Sequence, residues 1–286
     1  MISDITLGQF FPGYSVLHKL DPRTKLISAV LFIVCVFVAN TPGAFLLLTL
    51  ITLLTVWLSR ISFGVVFKGI KPIVIILIFT MIINVFMTGG EGEPLLDFWI
   101  FKVYKEGIIR AVFMALRVIV LIIGSSVLLT YTTSPIALTD GIESLLSPLK
   151  RIGVPVHTFA MMMSIALRFI PTLVEETEKI MNAQKSRGAD FSSGSLIKRA
   201  KALVPILVPL FLSAFKRAEE LATAMECRCY RGDKNRTKLV KLQYKSRDVL
   251  WLVSSLSFLA LTVLLAVFRG ELSSLGEVFG VIFYKI

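Results

Sequence analysis

Apolar positions in this chain run together instead of alternating. Near-continuous apolar stretches occupy 26–39, 44–58, 73–87, 108–129 and 249–268. A helix needs about 20 apolar residues to cross the hydrocarbon core of a bilayer, and about 17 suffice when its ends reach the interface. The last two stretches meet that length outright, and the first three meet it once their flanks are counted. Five membrane spans are expected, each helical because lipid offers backbone groups no other hydrogen-bond partner.

Between 132 and 247 the pattern changes to amphipathic helices. Ser134-Pro135 opens the first, which runs to about Arg151 and is closed by Gly153 and Pro155. The second runs from about Pro155 to Arg187. Along it Phe159, Met163, Ala166, Ile170, Leu173 and Ile180 recur at spacings of three, four or seven, giving one apolar stripe. Glu175 and Lys179 form an outward i,i+4 pair, Pro171 should kink the helix, and Gly188 suits its C-terminal end. The third runs from near Ser195 to about Cys229, bent by Pro205 and Pro209. Its stretch 203–215, which contains Leu207 and Phe211, is apolar nearly all round but short for a span. Arg231-Gly232-Asp233-Lys234-Asn235-Arg236 ends it.

The expected architecture is an all-α integral membrane protein with about five transmembrane helices and a cytoplasmic domain of three amphipathic helices. Residues 1–131 hold an amphipathic lead-in and spans one to four, 132–247 the amphipathic domain, and 248–286 span five and the tail. The lead-in carries Phe10, Phe11, Pro12, Gly13 and Tyr14, suited to a membrane interface, and its first 24 residues have no apolar core, so no cleavable signal is expected. Asp21 can cap the first span with Pro22 at its first position. Residues 40–43 read as a tight outer turn and 60–71 as a short basic inner loop. Gly89-Gly90-Glu91-Gly92-Glu93-Pro94 begins an outer segment carrying Glu91, Glu93, Asp97 and Glu106.

A net charge of +12 could point to nucleic acid, but the charge is sorted by side. With the N-terminus inside, 25 of the 31 Lys and Arg fall on the cytoplasmic face: Lys19, Arg23, Lys25, Arg60, Lys68, Lys71 and those from Lys150 to Arg247. Membrane orientation explains that bias without any nucleic acid. Were 156–174 and 203–215 both to cross the bilayer, Arg187 would face outside; the basic run Lys198-Arg199-Lys201 argues against it. Arg117 lies inside span four, where a lone charge costs at least about 2.5–3.5 kcal/mol. It either snorkels or pairs within the chain, or it anchors packing against another subunit.

Catalytic patterns are absent. No Gly-Lys pair exists, so there is no P-loop, and the two histidines, His18 and His157, cannot form a paired zinc helix. Cys35 sits in a span, while Cys227 and Cys229 lie one residue apart in a reducing segment, so neither a disulfide framework nor a metal site is expected. Glu175, Glu176, Glu178, Glu219, Glu220 and Glu226 fall on amphipathic helices and read as solvent-facing. No acidic residue lies within the five apolar stretches, as a proton carrier would need. No cofactor is called for.

Two arginine triplets remain, Ser186-Arg187-Gly188 and Cys227-Arg228-Cys229. The helix dipole alone favours a cation at a helix C-terminus. Yet both arginines end successive long helices, and both have small flanking residues. Such a tip can enter a groove while the guanidinium bonds bidentately to carboxylates or carbonyls of a partner. A tip docked at one end and packed to membrane helices at the other transmits force from a nucleotide-driven soluble subunit.

The motifs Ala115-Leu116-Arg117, Thr132-Thr133-Ser134-Pro135, Ala166-Leu167-Arg168-Phe169-Ile170-Pro171-Thr172-Leu173 and Ala183-Gln184-Lys185-Ser186-Arg187-Gly188-Ala189-Asp190-Phe191 resemble the EcfT family. These are the transmembrane coupling subunits of energy-coupling factor transporters, a branch of ABC importers. The opening Gly8-Gln9-Phe10-Phe11-Pro12-Gly13 and His18-Lys19-Leu20-Asp21-Pro22-Arg23-Thr24-Lys25 resemble the version shared among vitamin-binding subunits. The resemblance implies two ATPase subunits, EcfA and its homologue, gripped through Arg187 and Arg228 with Ser186, Gly188, Cys227 and Cys229. It also implies a substrate-binding S-component cradled by the coupling helices, for which Phe159, Met163, Ile170, Leu173, Leu207 and Phe211 are the candidate contacts. The family's usual triplet is Ala-Arg-Gly; here Ser replaces Ala in the first, and Cys replaces both Ala and Gly in the second. Two readings from other classes stand beside it: a membrane-embedded enzyme using the basic segment as an anion site for a lipid or phosphate substrate, and a passive channel or scaffold.

Overall fold

The computed structural model describes residues 10–87, 96–98, 101–189, 191, 195–232 and 242–267. It is helical apart from one short hairpin, Leu96–Phe98 (β1) paired antiparallel with Phe101–Val103 (β2). Two compact units emerge. One gathers the described residues of Gly8–Gly141 and Leu242–Ile286, the other those of Ile142–Lys241.

In the first unit, α1 is Pro22–Val38. As expected, Asp21 caps it, its carboxylate accepting the Arg23 N–H at 2.9 Å, and Pro22 fills the first turn, where its missing N–H has no partner to lose. The stretch 40–43 is a helix start as well as a turn: Thr41 caps α2 (Pro42–Ser59), its hydroxyl accepting the Ala44 N–H at 3.3 Å.

The expected basic loop at 60–71 is mostly helix. It contains α3 (Phe63–Ile70) and a 3-10 turn, Lys71–Ile73, that leads into α4 (Val74–Met87). The cause is an apolar face that the charges at Lys68 and Lys71 obscure. Val66 is buried with Val56, Val127 and Tyr131, and Val65 packs against them. Pro72 falls in the first turn of the 3-10 segment, where it is tolerated. Of the outer segment, Gly89 to Pro94 with Glu91 and Glu93 lies outside the described residues, while Asp97 falls in β1 and Glu106 in the first turn of the next helix.

The fourth predicted span is α5 (Lys105–Ser125) continued by a π-helical turn, Ser126–Tyr131. The fifth is α9 (Ser246–Val267). The core of this unit joins α1, α2 and α5 through Phe32, Cys35, Val36, Phe45, Leu48 and Val120, and the lead-in adds Leu17 and Leu20. At Gly124 the α5 backbone meets the Phe32 ring so closely that a Cβ would lie 2.2 Å from it, so only glycine fits.

Buried charge ties three chain segments together in this unit. Asp248, 2% exposed at the start of α9, accepts the backbone N–H groups of Asp21 at 2.7 Å and Lys245 at 2.9 Å. Lys25 donates to the Thr132 carbonyl at 2.8 Å, and Arg23 stacks over the Tyr244 ring at 4.0 Å. Arg117 finds its partners on its own chain. It donates to the Ala39 carbonyl, just past the end of α1, at 2.8 Å and to the Asn40 side-chain oxygen at 3.2 Å.

The boundary between the units falls within α6 (Pro135–Leu146). The first amphipathic helix does reach beyond it, but as a 3-10 turn, Ser147–Ile152, because Pro148 cannot continue α-helical bonding; Gly153 closes the turn at φ +86°. In the second unit α7 is Val156–Ser186 and α8 is Leu196–Cys227, each continuous through its prolines. Buried His157, near the start of α7, meets the Glu143 carboxylate at 2.7 Å.

By length and composition, five described helical stretches can cross a membrane: Pro42–Ser59, Phe63–Met87, Gly107–Tyr131, Val156–Ser186 and Ser246–Val267. Four coincide with expected spans. The first expected span is α1, whose 17 residues stand at the short end of the spanning range. The remaining qualifier is α7, which the sequence reading assigned to the amphipathic domain.

Candidate functional site

The two arginine triplets fold alike. At the end of α7 the Ala189 N–H donates to the Gln184 carbonyl at 3.0 Å and the Gly188 N–H to the Lys185 carbonyl at 3.0 Å. At the end of α8 the Tyr230 N–H donates to Met225 at 3.0 Å and the Cys229 N–H to Glu226 at 2.8 Å. Both are Schellman closures, which satisfy carbonyls the helix end would leave bare. Each needs its third triplet residue in the left-handed region, and Gly188 (φ +86°) and Cys229 (φ +55°) are both there. The sequence showed a glycine at only one of the two. In both cases the arginine is the capping residue, and Ser186, Arg187, Gly188, Cys227, Arg228 and Cys229 are all exposed.

The helices that carry these tips run in opposite directions. Midway, the Glu176 carboxylate accepts the Ser213 hydroxyl at 2.6 Å and an Arg217 N–H at 2.9 Å. Towards the start of α7, Met161, Ser164, Ile165 and Arg168 share an open cavity of about 700 Å3 with Met225, Arg228, Cys229, Tyr230, Arg231 and Gly232. Counted from the Ser213 and Arg217 partners of Glu176, Arg228 sits opposite about 161–165 of α7, and Arg187 lies about 22–26 residues further along. At 1.5 Å per residue the two tips stand about 35 Å apart along the pair, towards its opposite ends. Glu176, expected to face solvent, is instead the polar clamp at the middle of that pair. Its i,i+3/i,i+4 neighbours gave no sign of this, because its partners are 37 and 41 residues away.

The candidate apolar contacts divide. Phe159 and Met163 on α7 and Leu207 and Phe211 on α8 are exposed, whereas Ile170 and Leu173 are half-buried. Around Leu207 and Phe211 the surface extends to Leu203, Val204, Val208, Leu212 and Phe215, each between 48 and 65% exposed, with Ile206 turned inward. A face that large and apolar is not left to water in a soluble protein. Sequence reading passed over Arg168 and Arg231, which the fold brings beside Arg228.

Chemically, the second unit offers two exposed guanidinium tips on rigid, well-closed helix ends, plus an uncovered apolar face. Among the described residues no group of three or more His, Cys, Asp and Glu could hold a metal ion.

Known proteins resemble this chain over most of its length. The CbiQ family, described as cobalt transport protein, matches residues 13–239. A Clostridium kluyveri protein named energy-coupling factor transporter transmembrane protein EcfT is 52% identical over 271 residues, covering 95% of this chain and 100% of its own length. Proteins of the same name from Ruminiclostridium cellulolyticum and Bacillus subtilis are 56% identical over 250 residues and 50% identical over 261. These alignments cover 87 and 91% of this chain, and 92 and 98% of those relatives.

Proposed function

Because this chain belongs to the CbiQ, or cobalt transport protein, family, we propose that it is the coupling subunit of an energy-coupling factor transporter. It is a multi-pass membrane protein and a transporter component, not an enzyme. In this reading it converts ATP-driven movement of two soluble ATPase subunits, EcfA and its homologue, into reorientation of a substrate-binding S-component that takes up a vitamin or similar micronutrient.

The observation that carries this reading is the pair of identically closed arginine tips set about 35 Å apart along one clamped helix pair. Two prongs at that separation suit two partner subunits, one for each. When the ATPases close on nucleotide, tips fixed in their grooves are displaced as rigid bodies, and the Glu176–Arg217–Ser213 clamp passes that displacement from one helix to the other. The exposed face formed by Phe159, Met163, Leu207 and Phe211, continued by Ile170 and Leu173, would then push against the S-component. We place 132–247 and the N-terminus in the cytoplasm on the sorting of Lys and Arg.

The test replaces Arg187 and Arg228 with alanine or glutamate, singly and together. ATPase retention by the purified chain and ATP-dependent uptake are then measured. Loss of both in the double variant, with the chain still monodisperse in detergent, is the expected result. Normal assembly and uptake would end the proposal.

A further inference from the structure

We infer that Arg168 and Arg231 join Arg228 in a three-arginine clasp for a carboxylate-bearing segment of the ATPase subunit that docks at the α8 end. This deepens the docking reading and rests on it. Arg168 lies 60 residues from Arg228 and outside either triplet, yet both line the same cavity of about 700 Å3, with Arg231 three residues past the tip. Met161, Ser164, Ile165 and Arg168 reach it because spacings of three, four and seven put them on one face of α7.

Three guanidinium groups around one opening repel each other. None of the three has a carboxylate partner among the described residues. An anion entering the opening relieves that repulsion, and the planar fork of arginine selects carboxylate or phosphate oxygens. The cavity is far roomier than one phosphate group requires. Its wall also includes Met161, Ile165 and Met225, apolar surface that the stems of a peptide's acidic side chains can cover. Its place at the α8 tip puts it where the docking partner arrives. The observations therefore favour an acidic polypeptide segment with at least two carboxylates over a lipid headgroup.

The experiment uses the full chain co-purified with the ATPase subunits that accompany the wild type. Arg168→Ala, Arg168→Lys, Arg231→Ala and Arg228→Ala are compared for ATPase retained on washing at rising salt. A charged hydrogen-bond partner of this kind contributes about a tenfold to hundredfold difference in affinity. Arg168→Ala should weaken retention by about tenfold or more, with Arg168→Lys recovering part of it. The Arg168→Ala/Arg228→Ala double variant should lose less than the product of the single losses, since the two act on one segment. Each variant is also tested for binding to vesicles of phosphatidylglycerol.

If wild-type chain retains no ATPase, the docking reading itself fails. If Arg228→Ala loses ATPase while Arg168→Ala and Arg231→Ala keep it, docking stands and the clasp is wrong. If the variants lose only vesicle binding, the cavity takes a lipid phosphate and the clasp is equally overturned. Arg231 lies beyond the helix, so its variant separates loss of contact from loss of fold.

Discussion

The matched closure of the two tips can be perturbed in opposite directions. Gly188 sits at φ +86° with no atom within 4 Å of where a Cβ would stand. Replacing it with alanine therefore brings no collision, only the left-handed penalty of about 1–2 kcal/mol, part of which alanine's stiffer unfolded chain offsets. A net cost of about 1 kcal/mol raises the population of the opened last turn about fivefold. Cys229 already bears that penalty at φ +55°. Changing it to glycine removes the penalty but adds freedom to the open tip, about 0.5–1 kcal/mol in the other direction. The net gain is about 0.5 kcal/mol, or about twofold less opening. Hydrogen exchange followed by mass spectrometry, on peptides covering 183–189 and 224–230 in detergent, reads both. Gly188→Ala should exchange about fivefold faster at the first tip and leave the second unchanged; Cys229→Gly should slow the second about twofold. Unchanged exchange in Gly188→Ala, or faster exchange in Cys229→Gly, would refute the claim that both tips are closed by a left-handed third residue.

Three further outcomes are expected. Asp248→Ala strips the acceptor from the Asp21 and Lys245 N–H groups, at 2.7 and 2.9 Å, and should cost about 3 kcal/mol, seen as a lower thermal midpoint of the detergent-solubilised chain; Asp248→Asn, which keeps one acceptor oxygen, should lose clearly less, and equal midpoints for all three proteins would count against the tie. Gly124→Ala sets a Cβ 2.2 Å from the Phe32 ring and should destabilise by about 1–3 kcal/mol in the same assay, with Phe32→Leu restoring part of it; a midpoint at the wild-type value would show that α1 and α5 do not approach so closely. Cys227 and Cys229 are exposed and Cys35 is buried, so an impermeant maleimide should label inside-out vesicles and spare intact cells, and the Cys227→Ser/Cys229→Ser chain should take up none; labelling of intact cells would place the α8 tip outside.

Much of the fold could be read from hydrophobic runs and helix punctuation. Asp21-Pro22, Ser134-Pro135 and Gly153 each mark a boundary the structure keeps, because capping and helix-stopping act within one turn of chain. The stretch 60–71 misled because two lysines and Gly64 and Gly69 mask an apolar face defined only by distant Val56, Val127 and Tyr131. The arginine tips were legible as residues, and their separation was not. That distance depends on α8 folding back along α7, which is fixed by Glu176, Ser213 and Arg217, pairs too far apart in sequence to show any period. Arg168 went unassigned for the same reason. Its motif identified a family, while its chemistry depends on a neighbour 60 residues away.

The exposed face of α8 bears on why such a chain needs company. Burying a large apolar side chain yields about 1.5–3 kcal/mol, and seven of them, from Leu203 to Phe215, remain at least 48% exposed. Lipid could cover them, but lipid tails are as apolar as leucine and give helices no hydrophobic reason to stay at one depth or angle. A protein partner can supply that choice through shape. The same helix ends in Arg228, a charge that a hydrocarbon layer would reject. Its apolar stretch and its cationic tip thus have opposite solvent requirements within about 20 Å of one rod, from Phe215 to Arg228 at 1.5 Å per residue. On the proposed docking reading, a helix of that kind is held at a boundary, with an apolar surface against one stretch and acidic polypeptide against the other. On the proposed coupling reading, movement imposed at the acidic end appears at the apolar one, because no proline interrupts the helix between Phe215 and Cys227.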